Sequence, residues 1–182
     1  MLRRPHRFGI TCALLLATTG AFAAGPPAKA SKPAKPPQAA ASSQFVDAAV
    51  RRNLAGLELS QLALQRTTTP AIRSLAQQLA RESASSYETL LEIASEAGPT
   101  RTPDTIDLEQ RTIKSRLSSL SGAAFDQGYL AALKTNDDRD IALYRAYAAH
   151  GDDDLLKGWA HDRLPAIRKR RQLAEATALE IR

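Results

Sequence analysis

Cysteine occurs once in the 182 residues, glycine nine times, histidine three times, and only 5% of the chain is aromatic. The one cysteine, Cys12, lies in an N-terminal leader, so the chain beyond it has no thiol. Disulfides and thiolate metal sites are thereby excluded, and stability must come from core packing alone. The glycines form no phosphate-cradling loop, which removes nucleotide chemistry. None of His6, His150 and His161 stands in a nucleophile pair, which removes acyl transfer. Carboxylates are plentiful, but glycosidase-like work needs two of them across a cleft, and short connections leave none. No catalytic constellation is found.

A charge of one sign is missing too, once the chain is divided by segment. The formal net charge is +6, from 25 basic and 19 acidic residues. Arg3, Arg4 and Arg7 sit in the leader, and Lys29, Lys32 and Lys35 in the segment after it. That leaves 19 basic against 19 acidic residues from Ser43 onward, so the folded part is neutral. Nucleic-acid binding, which needs a basic face, has no electrostatic footing.

Residues 1–23 read as a cleaved signal peptide. The three arginines precede an almost uncharged run from Phe8 to Phe22, and Ala21-Phe22-Ala23 supplies the small-x-small cleavage pattern. About fifteen apolar residues is short of the roughly 20 that a spanning helix needs. Gly9-Ile10-Thr11 before Cys12 does not match a lipidation site. The expected location is the periplasm or the medium, with no transmembrane segment after cleavage. Residues 24–42, with five prolines and three lysines, read as an extended linker. The folded domain is expected over 43–182.

What is abundant there is Ala, Leu, Gln, Glu and Arg in 3.6-residue patterns, which predicts an all-α domain. In the first helix Val46, Val50, Leu54, Leu57, Gln61 and Leu64 form one stripe, with Leu59 and Leu62 on the other side, covering a neighbouring element or a partner. Thr67-Thr68-Thr69-Pro70 starts a second helix, Thr69 as N-cap and Pro70 at the first helical position. Its stripe is Ile72, Leu75, Leu79, Ser83, Ser86, Leu90 and Ile93, ended by Gly98-Pro99. A short crossover helix opens at Asp104 or Asp107. The next runs from near Phe125 to His150 with Gly151 just past its end, its inward face interrupted by Asn136. Asp152-Asp153-Asp154 reads as a capping cluster, since a calcium loop spreads its ligands over twelve residues. Pro165 inside the last helix predicts a kink or restart.

Several segments together resemble the ferritin-like proteins of domain of unknown function 4142, common among exported bacterial proteins: Phe45-x-x-x-Ala49, LAQQLARESASSYETLLEIASEAG, FDQGYLAAL at Phe125 to Leu133, and DDLLKGWAHDRLPAIRKR with Leu164-Pro165. The likeness covers roughly residues 44–178. It implies an antiparallel four-helix bundle with ferritin-like topology and no established activity. Members typically carry Asp-His in the second helix, a further histidine after the Phe-Asp-x-x-Tyr motif, and another five residues after Leu-Pro. Those positions are Glu82-Ser83, Asp137 and Arg170 here. No Glu-x-x-His pair of the ferritin-like di-metal kind occurs either. No metal or other cofactor is therefore expected.

Glu82, Ser83, Asp137 and Arg170 are thus the candidates for an interior polar layer. Asp137 and Arg170 on facing helices either form a buried ion pair joined by Glu82, or stand as solvated charges just outside the core. The functional expectation is a non-catalytic envelope protein acting through helix faces on another envelope protein or on itself. The alternative is a metal ion or small ligand in the polar interior, with Tyr87, Tyr129, Tyr144 and Tyr147 either lining a pocket or packing the core.

Overall fold

The computed structural model describes residues 38–96 and 102–181. The expected signal peptide and residues 24–37 of the expected linker lie outside them. Five helices follow in order: α1 Gln38–Arg66, α2 Pro70–Glu96, α3 Leu108–Ser118, α4 Gly122–His150 and α5 Asp154–Glu180. No strand occurs among the described residues. The domain is an all-α helical bundle.

Local chemistry sets the ends. Thr69 carbonyl accepts the Arg73 amide at 3.0 Å, as an N-cap carbonyl does, but its hydroxyl goes instead to Asp126. Asp107, not Asp104, caps α3 through the Gln110 amide at 2.8 Å. The three consecutive aspartates divide their work. Asp153 caps the Leu156 amide at 2.9 Å, Asp152 accepts from Ser42 and Tyr147, and the exposed Asp154 pairs with Lys157.

Particular contacts set two further helix ends. α1 begins at Gln38, five residues before the boundary at Ser43, because the Gln-Ala-Ala-Ala run favours helix and Ser42 is held by Tyr147 at 2.8 Å and Asp152 at 2.7 Å. Gly151 ends α4 with φ −58°, so it is not there for a left-handed turn. A Cβ on it would lie 2.6 Å from the Tyr147 carbonyl oxygen, and this close approach is what requires glycine. The helix α5 passes unbroken through Pro165, where no restart occurs. The proline is exposed, as is His161, whose carbonyl loses its partner.

α1 packs along α2 and α4 along α5, each pair joined by a turn of only a few residues and therefore antiparallel. α1 also lies against α4, and α2 against α5, while α3 crosses between α1 and α4. Asp126 fastens the α1–α2 turn to the start of α4 by accepting from Thr67 at 2.7 Å and Thr69 at 2.5 Å.

The face of α1 keeps Val46 and Val50 of the stripe read in the sequence, both buried, but departs from it further along. Leu59 and Leu62 are buried at 0% and 7% exposure, whereas Leu54, Leu57 and Leu64 are only half-buried and Gln61 is exposed. α1 touches three other helices, so its buried arc is wider than one stripe and is centred elsewhere. Leu59 and Leu62 therefore cover neighbouring helices, the first of the two roles expected of them, and are unavailable to a partner.

Candidate functional site

The core consists of two apolar clusters. One gathers Leu59, Leu62, Ile72, Leu75, Leu117, Phe125 and Tyr129 at the α1–α2 turn end. The other gathers Phe45, Val50, Leu90, Tyr144, Tyr147 and Trp159 at the opposite end. The tyrosines there pack as core: the Tyr147 ring stacks on Phe45 with centroids 3.9 Å apart, and Phe45 meets Tyr144 edge-on at 5.6 Å. Between the clusters each long helix turns polar side chains inward.

At the centre stands Arg170 of α5, 8% exposed, facing Asp137 of α4 at 1%. Arg170 Nε donates to Asp137 Oδ1 at 2.7 Å, and Nη2 bonds the same oxygen. Nη2 also reaches Asp140 Oδ2 at 3.4 Å, and Nη1 lies 3.8 Å from Glu82 Oε2 on α2. Arg52 of α1 approaches Asp140 Oδ1 at 3.6 Å. All four candidates thus come to one level: Asp137 and Arg170 in direct contact, Glu82 at its edge, and Ser83 buried at the α1 side. There Gly56 admits Ser83, whose Oγ would be 2.4 Å from a Cβ on residue 56. Neutral polar groups extend the layer. Gln110 of α3 and Asn136 of α4 exchange amide hydrogen bonds at 2.9 and 3.1 Å, and Asn53 donates to the Ala49 carbonyl.

Arg52, Asn53, Gln110 and Asp140 were not singled out from sequence. Asp140 had a signal, since it lies three residues after Asp137 and so on the same face of α4. Arg52 and Gln110 had none, because only tertiary packing brings them to the layer.

The electrostatics follow from burial. Burial works against the Arg170 charge, but the Asp137, Asp140 and Glu82 carboxylates outweigh it and raise its pKa. Burial pushes Asp140 up to about 6, against the pull of Arg170 and Arg52. Burial raises Asp137 as well, opposed by Arg170. Asp137 holds the short bonds to Arg170 while Asp140 has only contacts of 3.4 and 3.6 Å, so a shared proton belongs on Asp140. Tyr129 is pushed up to about 12 by burial and stays a neutral phenol.

The layer encloses a cavity of about 30 Å³, bordered by Arg52, Asp137, Asp140 and Arg170 among others. That is room for one water and no larger ligand. Among the described residues no group of three or more His, Cys, Asp or Glu side chains is placed to hold a metal ion. His150 and His161 are exposed, outside the layer. Two guanidiniums among three carboxylates do not suit a metal cation, since they occupy and repel what the carboxylates would bind.

A family model matches residues 27–177 with the description "Domain of unknown function (DUF4142)". The chain belongs to this DUF4142 family. Solved structures share the fold at low identity. A DUF305 fragment from Deinococcus radiodurans matches with TM-score 0.69 and 16% identity, over 80% of this chain and 99% of that one. CopM in an Ag-bound form matches with TM-score 0.64 and 11% identity, and in a Cu(II)-bound form with 0.65 and 9%, each over 76% of this chain and 96% of that one. No curated protein matches the chain in sequence. Among the described residues no helix is long and apolar enough to cross a membrane.

Proposed function

We propose that this DUF4142 chain is a non-catalytic, exported envelope protein that acts through a helix face, binding another envelope protein or a second copy of itself. The observation that carries the reading is an open groove of about 470 Å³ along the α4–α5 seam, lined chiefly by Leu130, Ala131, Ala174, Ala178 and Ile181. On the same stretch of α5, Leu173 and Leu179 are 39% and 66% exposed. An apolar groove rimmed by charges such as Lys134 and Glu175, paired at 3.7 Å, suits an amphipathic protein surface better than a small polar substrate. The face meant for a partner thus moves from Leu59 and Leu62 to α4–α5. Export rests on the leader described above.

The alternative, a metal ion or small ligand in the polar interior, draws on the fold shared with Ag- and Cu-bound CopM. It is the weaker reading, because Arg170 and Arg52 stand where a cation would need open carboxylates.

A photo-crosslinking residue placed at Ala178, with Gln77 on the outer face of α2 as control, tests the proposal in intact cells. A discrete adduct from position 178 and none from position 77 is expected. Equal labelling at both, or at neither, contradicts a dedicated α4–α5 face. Stoichiometric metal in protein purified from the envelope would favour the alternative.

A further inference from the structure

The polar layer carries more charge of one sign than its ion pairs absorb. Three carboxylates, Glu82, Asp137 and Asp140, share two guanidiniums, Arg52 and Arg170. Asp137 and Asp140 both lean on Arg170 Nη2, one tightly and one at 3.4 Å. Asp137 Oδ2 and Asp140 Oδ1 are buried without any hydrogen-bond partner. A buried, unmatched carboxylate costs far more than an exposed one, and the ordinary relief is to take up a proton.

We propose that this layer is a proton-binding site: the Asp137–Asp140 pair takes up one proton from mildly acidic solution, and that proton tightens the bundle. The inference is independent of the surface role proposed above. A proton fits where a metal does not. It needs no space in a cavity of about 30 Å³, and it neutralises one carboxylate without displacing Arg52 or Arg170.

The groups facing Asp140 from each helix agree. Arg52 comes from α1 and Arg170 from α5, with Asp137 and Tyr144 on α4 itself. Glu82 of α2 bears on Arg170 and so draws away part of the charge that Asp140 would use. α3 contributes Gln110 through Asn136, which is neutral. Burial raises the Tyr144 hydroxyl, so it stays protonated throughout, and Arg163 acts on Tyr144. In this surround burial outweighs attraction at Asp140, whose pKa rises from 3.8 to about 6. The folded chain therefore holds the proton more tightly than the unfolded chain. The stabilisation is fully present below about pH 3.8 and is lost as pH rises through about 6.

The test is a carboxyl ¹³C NMR titration of the full chain, together with urea unfolding between pH 4 and 8, for the parent and for Asp140→Asn. One aspartate carboxyl, or a coupled pair, should titrate near pH 6, and Asp140→Asn should abolish that titration. From pH 7 to pH 4 the folded-to-unfolded ratio of the parent should gain about 50-fold over that of the variant. The inference is overturned if every Asp and Glu carboxyl titrates below pH 5, or if the variant keeps the parent's pH dependence. Should Asp140→Asn fail to fold, the titration of the parent decides alone.

Discussion

The two ends of the bundle and the layer between them obey different rules. At the ends, Leu, Ile, Phe, Tyr and Trp side chains interlock, and each contributes by leaving water and filling space. In the middle, Arg170, Asp137, Asp140 and Arg52 gain little by being buried. Their desolvation offsets most of their attraction, so the layer's worth lies in what it forbids. A helix that slides by one turn loses apolar contacts gradually at the ends. It strands a charge at once in the middle. The ends supply stability, and the role expected of the layer is to fix how the four long helices align.

The comparison is broken most forcefully by removing one charge from the layer. Arg170→Ala leaves Asp137 buried beside Asp140 and should cost about 3–5 kcal/mol in urea unfolding at pH 7. Replacing both partners by apolar residues, Arg170→Met with Asp137→Leu, should restore most of that loss; a double variant as unstable as the single would contradict the desolvation argument. Next comes the apolar end. Leu59→Ala should cost about 2–5 kcal/mol, as for a core leucine, and a cost under 1 would place Leu59 on a free surface. Asp140→Asn follows, with the loss of pH dependence described above. The smallest effect lies where α1 meets α2. Gly56→Ala gains helix propensity but sets its Cβ against Ser83 Oγ, so it should be more favourable by about 0.5–1 kcal/mol in a Ser83→Ala background than in the parent. Equal effects in both backgrounds would deny that contact.

Helix ends were the most legible part of the chain, because caps and starts are local chemistry. Asp107 before α3 and Asp153 before α5 follow from side chains that accept an amide three residues on, and Pro70 opens α2 because its fixed φ suits the first turn and it has no amide hydrogen to leave unpaired. The buried face of α1 was less legible. A single stripe assumes one neighbour, and α1 has three, so Leu59 and Leu62 fell on the wrong side. Within the layer, the Asp137 and Arg170 positions were suggested by the family pattern, whereas Arg52 and Gln110 had no signal. Nor did Asp126, which takes both threonines of the α1–α2 turn across 59 and 57 residues of sequence. With Asp137 and Arg170 at two of the positions where the family resemblance leads one to expect histidine, that level of the interior is built from ion pairs.

The most direct measurement is a double-mutant cycle on Asp137→Ala and Arg170→Ala, read by urea unfolding at pH 7. A buried pair acting as a unit predicts that the double variant is less unstable than the sum of the singles, by at least about 1 kcal/mol. Losses additive within about 0.5 kcal/mol would mean that the two charges act separately and that no coupled layer sets the register.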